Sequence, residues 1–269
     1  MTDWVLGVDA SFHELTRQQA EELTLAGVAV WVQCLWTGAQ SPRYAQSNLD
    51  IAAGVGLLVA GYGSLSEGAQ DGFYHAEHTI AAVRPSSWDS LRFVATDVEL
   101  DGIANLAIRQ MVDRLLKAGK RRVVYSSEDA WVNKQGNPQD FEDCLIWNAL
   151  WNGVAGPPLL PRRYGPWTEQ TALGRQWSGG YTLAGAYVDR NTFRADLLKE
   201  EAMTGSVSTW LTLEDLGKVE AAIEKERQDR ETGAAWIVAA LAYHKADALR
   251  HLDSNTYQNL DDMLKKLGR

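Results

Sequence analysis

Hydrophobic and polar positions along this chain fall into short blocks that repeat in a regular order. Residues 4–9 are an apolar stretch ending in an acid, with Val5, Gly7 and Asp9 on one face of an extended chain. Thr16 and Gln19 stand at capping-box spacing and open a helix that Gly27 closes. Residues 28–35 form a near-continuous hydrophobic run, as expected of a parallel strand covered on both faces. Ser41 followed by Pro42 reads as a helix start, with the helix running to about Gly54. Residues 56–62 make a third strand, and a Gly-rich loop leads from it to a helix over 73–83.

The fourth strand, residues 91–99, is an apolar run that ends in two carboxylates. Period-2 alternation puts Phe93, Ala95, Asp97 and Glu99 on one face and Val94, Thr96 and Val98 on the other. At a rise of ~3.3 Å per residue the two acids stand roughly 6–7 Å apart along the chain, within reach of the spacings that paired carboxylates use in glycosidases. A helix over 103–118 and a strand over 121–126 continue the pattern. Strand–helix units joined by short loops predict a parallel sheet.

Beyond residue 126 the helical patterns thin out. Residues 145–151, 173–177 and 186–189 read as three more strands, with a Pro/Gly-rich loop over 153–167. Eight strands in all predict an α/β fold, a TIM-like barrel with few helices in its second half. Reactive residues in such barrels gather at strand C-terminal ends, where this reading places Asp9, Asp97, Glu99 and Asp189. Residues 1–203 form the barrel domain. Residues 204–269 are expected to be a small all-α module with helices over 213–231, 234–252 and 260–267. Ile237, Leu241, Ala248 and Leu252 fall on one helical face, which the barrel, the hairpin partner or a second copy of the chain must cover; a homo-oligomer through these helices is therefore left open.

Composition narrows the function. A net charge of −9 argues against nucleic acid, and the chain shows no basic stripe. It shows no run of about 18 apolar residues that would insert in a membrane, and its first residues lack a signal-peptide pattern, so the expectation is a chain made in the cytoplasm. Cys34 and Cys144 sit in apolar runs and read as buried thiols. Eleven Trp residues keep carbohydrate in view, because their faces suit sugar rings. Tyr62, Tyr125, Trp36, Trp147 and Trp177 lie at or near strand ends and are candidate sugar contacts, with core packing the competing reading for each. His75 and His78 share a helix face, but without an evident third ligand they read as a solvated face; no metal and no cofactor are expected. Crowded acids raise one another's pKa values, which supplies the protonated carboxyl that glycosidic hydrolysis needs. Glu99 is the better donor of the pair if it lies deeper.

Together these positions resemble glycoside hydrolase family 25, the lysozymes common in bacteriophage and fungi. The carrying motifs are Gly7-Val8-Asp9-Ala10-Ser11; Asp97-Val98-Glu99; Tyr125-Ser126-Ser127 with Trp131; Gln176-Trp177-Ser178 with Gly179-Gly180; and the closing Val188-Asp189-Arg190-Asn191-Thr192-Phe193. The resemblance covers about residues 4–193. It implies an eight-stranded barrel that cleaves the β-1,4 bond after N-acetylmuramic acid in peptidoglycan, as phage endolysins do. Glu99 would be the general acid. Asp97 would be the nucleophile or would orient the substrate N-acetyl group. Asp9 and Asp189 would support them, with Gln176 among the substrate contacts. The chain departs from the family pattern at Phe12-His13, at residues 33–38 and at Arg175, where a Trp is usual. Two alternatives follow: a non-catalytic glycan-binding or virion structural protein on the same barrel, or a glycosidase for a different glycan.

Overall fold

The structure is a computed structural model, and it describes residues 4–157, 160 and 164–199. Eight strands close into a barrel in chain order: β1 (Trp4–Ala10), β2 (Val28–Trp36), β3 (Leu58–Ser64), β4 (Val94–Asp97), β5 (Arg122–Ser127), β6 (Leu145–Ala149), β7 (Ala172–Leu183) and β8 (Ala186–Arg194). Helices α1 (Arg17–Leu25), α2 (Ala45–Gly54), α3 (Gly72–Ala81), α4 (Pro85–Ser90) and α5 (Asn105–Lys117) connect the first five strands. After β5, only a π-helical turn over Asp129–Lys134 and the short α6 (Ala195–Leu198) are helical among the described residues. The barrel with a helix-poor second half is thus present. The module expected over 204–269 lies outside the described residues. Among the described residues no helix is long and apolar enough to cross a membrane.

Local chemistry accounts for both ends of α1. Thr16 accepts from the Gln19 backbone while the Gln19 side chain returns to the Thr16 N–H, completing the capping box of α1. Gly27 follows that helix with φ of +85°, a left-handed conformation that favours glycine. The start expected at Ser41-Pro42 is not used. Pro42 instead accepts from the Ala45 N–H in a turn, and α2 begins at Ala45 with no side-chain cap. The short α4 and the π-helical turn were not anticipated; neither presents enough residues for a periodic pattern.

Strand β2 carries apolar side chains on both faces. Val30, Val32 and Cys34 join an inner cluster with Ala60, Tyr62, Phe93, Ala95, Val123, Tyr125, Trp147 and Phe193. Trp31 and Leu35 join an outer cluster with Val94, Val98 and the helix residues Leu23, Leu49, Ile108 and Met111. The alternation read from residues 91–99 holds: Phe93 and Ala95 point in, Val94 and Val98 out. Regular pairing on β4 ends at Asp97, although the Val98 N–H still donates to Tyr125 O.

The wholly parallel sheet requires a correction at its last strand. β8 pairs antiparallel with both β7 and β1. Only Ala184 and Gly185 separate the Leu183–Ala186 pair, and both have positive φ, 51° and 72°. That is the geometry of a two-residue hairpin turn, whereas a parallel connection needs a crossover of a dozen or more residues. Asp189 therefore lies in the first half of a strand that descends from the mouth, and is not a strand-end residue.

Candidate active site

The four acids meet at one end of the barrel. Asp9 comes from the end of β1, Asp97 from the end of β4, Glu99 from two residues beyond it, and Asp189 from β8. They line a cavity of about 300 Å³ together with Ser11, Phe12, Cys34, Thr37, Tyr62, Ser64, Tyr125, Trp147, Trp151 and Gln176. That volume is at the lower end of the range for small-ligand sites.

Gln176 is the hub. Its Nε2 donates to Asp9 Oδ2 at 2.9 Å and to Asp189 Oδ2 at 3.3 Å. Its Oε1 accepts from Tyr125 OH at 2.8 Å and from Trp151 Nε1 at 2.6 Å. Asn191 Nδ2 gives Asp9 Oδ2 a second hydrogen bond at 2.7 Å, and Asn191 Oδ1 accepts from Trp147 Nε1 at 2.9 Å. The Gly180 N–H donates to Asp189 Oδ1 at 2.5 Å. On the opposite wall Ser64 Oγ donates to Asp97 Oδ2 at 2.6 Å, while Asp97 Oδ1 is buried with no partner among the described residues.

Burial raises the pKa of all four carboxyls, and neighbouring acids add to it for Asp9, Asp97 and Glu99. Desolvation first, and the neighbouring Glu99 second, push Asp97 up to about 8. Desolvation and Asp189 push Asp9 up to about 7 against the hydrogen bonds from Asn191 and Gln176. Glu99 is also raised by burial, against the pull of the Lys134 charge, and Asp189 is raised by burial. The order of depth is the reverse of the condition set for Glu99: Asp97 is fully enclosed, and Glu99 is half-buried at the rim. A proton shared by such a pair belongs to the pair near neutral pH, and the rim member is the one placed to pass it to a bound molecule.

Of the aromatic candidates, Tyr62, Tyr125 and Trp147 form the floor. Tyr62 OH and Ser11 Oγ are 2.7 Å apart, and Trp147 packs on Tyr125 with ring centroids 4.6 Å apart. Trp36 and Trp177 are not brought to the cavity. Two β2 residues, Cys34 to Trp36, span one step of β3, and this bulge turns Trp36 towards α3. There its Nε1 donates to His75 Nδ1 at 3.0 Å and its ring stacks on His78 at 4.3 Å. His75 is thus buried against Trp36, not part of a solvated face. Trp177 packs under the Arg190 guanidinium, 4.1 Å from its carbon to the ring centre. Both cysteines are buried free thiols; Cys34 lies at the cavity floor, and burial pushes it up to about 12.

Phe12, Ser64 and Trp151 are site residues that the motif reading missed. Trp151 ends the apolar run 145–151, and its position just past β6 marks it in retrospect. Of the departures from the family pattern, Gln33 and Arg175 are scaffolding. Gln33 is buried on the outer face, where Nε2 donates to Ala10 O at 3.2 Å and Oε1 accepts from Asn48 at 2.9 Å, fixing the end of β1. Of that segment, Cys34 and Thr37 line the cavity.

The barrel fold is shared with solved structures of family 25 lysozymes. Solved structures with this fold include a family 25 lysozyme from Aspergillus fumigatus (TM-score 0.59, 19% identity, 74% of this chain and 100% of that chain). They also include a lysozyme from Streptomyces coelicolor (TM-score 0.56, 19% identity, 74% and 97%). A third is the catalytic domain of the endolysin ply40 from the Listeria monocytogenes bacteriophage P40 (TM-score 0.54, 19% identity, 74% and 96%). No protein-family model and no curated protein matches the chain by sequence.

Proposed function

We propose that the chain is a glycoside hydrolase of the lysozyme type that acts on peptidoglycan. The observation that supports this most is the Asp97–Glu99 pair at the mouth of a barrel shared with lysozymes: burial raises both pKa values, and the Glu99 charge raises that of Asp97 further. Glycosidic cleavage needs one carboxyl that still holds its proton and one that does not. Asp97 and Glu99 share one proton, and Glu99, at the rim, delivers it to the glycosidic oxygen as the C1–O bond breaks, leaving Asp97 as the ionised member. The electron-poor C1 is captured either by the Asp97 carboxylate or by the substrate's own acetamido oxygen, which Asp97 then orients. Water then attacks C1 and displaces the Asp97 carboxylate or the acetamido oxygen, while Glu99 takes the proton that the water loses and is thereby restored for the next cycle. Asp9 and Asp189 are bridged by Gln176, and the ionised member of that pair supplies the negative field that favours the developing positive charge on the sugar.

The finer reading is the β-1,4 bond after N-acetylmuramic acid, in an endolysin made in the cytoplasm and released to the wall; the endolysin domain among the structural neighbours supports it. In this reading residues 1–203 carry the chemistry, and 204–269 are accessory. The test is digestion of purified cell walls with mass analysis of the products. New reducing ends on N-acetylmuramic acid are expected. Reducing N-acetylglucosamine would move the cleaved bond, and walls left intact would turn the reading to glycan binding without catalysis.

A further inference from the structure

Two large aromatic side chains at the cavity are mostly exposed, Trp151 at 65% and Phe12 at 62%. The floor aromatics are enclosed and cannot offer a flat face to a ligand. Trp151 can, and it is held in place to do so. Its Nε1 hydrogen bond to Gln176 ties the edge of the indole to the amide that bridges Asp9 and Asp189. A Cβ on Gly179 would stand 3.2 Å from Cη2 and Cζ2 of the indole, so the ring rests against a stretch of β7 without a side chain.

The loop behind Trp151 is fastened as firmly. The Leu150 and Gly153 N–H groups donate to Gln176 O and Trp177 O, each at 2.9 Å. Arg175 is buried, and its guanidinium is given over to this loop: to Asn152 Oδ1 at 2.6 Å, to Val154 O, and to Pro157 O at 3.2 Å. No carboxylate pairs with it among the described residues. A planar fork that reaches three acceptors at once is something a lysine ammonium cannot reproduce.

We propose that Trp151 is the stacking platform for a pyranose ring of a β-1,4-linked N-acetylhexosamine chain, and that Arg175 is the positioning residue that holds it. The inference rests on the glycan-hydrolase reading above. The apolar C–H face of the sugar lies on the indole, whose orientation is fixed by the site's own amide. Affinity and the register of the chain across the acids are therefore set by one residue.

The test uses binding of a β-1,4-linked N-acetylglucosamine tetramer and a wall-derived tetrasaccharide, read by calorimetry in the E99Q background so that nothing is cleaved. W151A should weaken binding by about tenfold or more, as expected of a lost stacking partner, with W151F recovering most of it. In the otherwise native chain, W151A should raise KM on wall glycan far more than it lowers kcat. R175K should move KM in the same direction, and the W151A/R175K double variant should lose no more affinity than W151A alone. If R175K does not fold, N152A removes one of the clamped acceptors and takes its place. W151A with native affinity, or R175K effects that simply add to those of W151A, would overturn the proposal. A chain that binds the tetrasaccharide but cleaves no wall overturns the hydrolase reading and leaves the platform. Cleavage with KM unmoved in W151A overturns the platform alone, and neither binding nor cleavage overturns both.

Discussion

Asp9 and Asp189 are register partners across the antiparallel pair of β1 and β8, and a single amide nitrogen, Gln176 Nε2, donates to both. Two carboxyls so placed repel each other, and the repulsion contributes to the raised pKa of Asp9. The pair exists only because β8 descends from the mouth. Had the last strand been parallel, Asp189, only three residues into it, would have stood near the floor of the barrel. The hairpin at Ala184–Gly185 thus brings the fourth acid, Asp189, to the mouth beside Asp9.

Glu99→Gln should reduce wall hydrolysis by about 10²–10⁴-fold, because Gln fills the same space but has no proton to give. Burial raises the Glu99 pKa, so removing its charge should leave the melting temperature at or above that of the parent. Turnover measured on every wall that the parent cleaves, beside a thermal melt, checks both halves. Native turnover would assign the proton donor elsewhere.

Ser64→Ala removes the hydrogen bond that favours the ionised form of Asp97. Without it the Asp97–Glu99 pair holds its proton to higher pH, since a donor to a carboxylate lowers its pKa. A pH profile of kcat/KM should show the limb that reports this pair moving upward by roughly half to one pH unit. A limb that stays in place would mean that it reports other groups, Asp9 and Asp189 being the candidates.

Asp97→Asn should abolish most activity while making the protein more stable above neutral pH. The folded chain holds the Asp97 proton until about pH 8, whereas the unfolded chain releases it near the ordinary value of 3.8. Between those limits the folded state binds more protons, so stability falls as pH rises through the window. Asn does not ionise and escapes that loss, and its oxygen can still accept from Ser64. The expected gain is up to about 5 kcal/mol at pH 8, many degrees in Tm, shrinking to about 1 kcal/mol or less at pH 4.5. Melts of both proteins at the two pH values decide it; an equal gain at both would show that ionisation is not the cause.

What could be read in advance follows from how local each signal is. The inward row Phe93, Ala95, Asp97 and Glu99 and the cap at Thr16 each need only a few adjacent residues, and both are present. The direction of β8 was also within reach, since the residues between the two last apolar runs are too few for a crossover helix. Trp36 could not be placed this way. Its alternation points inward, and only the bulge against β3 sends it to His75. Trp151 was passed over because it looked like the tail of a strand, while its role depends on Gln176 and Arg175, residues that only the closed barrel brings beside it.

The closing motif has a mechanical meaning as well as a chemical one, and Gly7 tests it. Asp189, Asn191 and Phe193 alternate along β8: Asp189 and Asn191 reach the acid network, and Phe193 fills the barrel below it. The Phe193 ring needs space on both sides, which Gly7 on β1 and Gly174 on β7 leave for it. A Cβ at residue 7 would come within 2.5 Å of the ring, and one at residue 174 within 2.4 Å. The ring is fully buried, so it has little room to swing away. Gly7→Ala should therefore destabilise by roughly 1–3 kcal/mol, as overpacking of a close-packed core does, lowering Tm by several degrees. Because Gly7 pairs with Asn191 in register, the strain should also loosen the hydrogen bond from Asn191 to Asp9 and reduce activity. Adding Phe193→Leu to Gly7→Ala should recover part of the lost stability by making room for the new methyl group. The comparison is the melting temperature of the two single variants and the double. If Gly7→Ala melts like the parent, or if the double variant loses the full sum of the two single losses, the ring is not what requires glycine at that position.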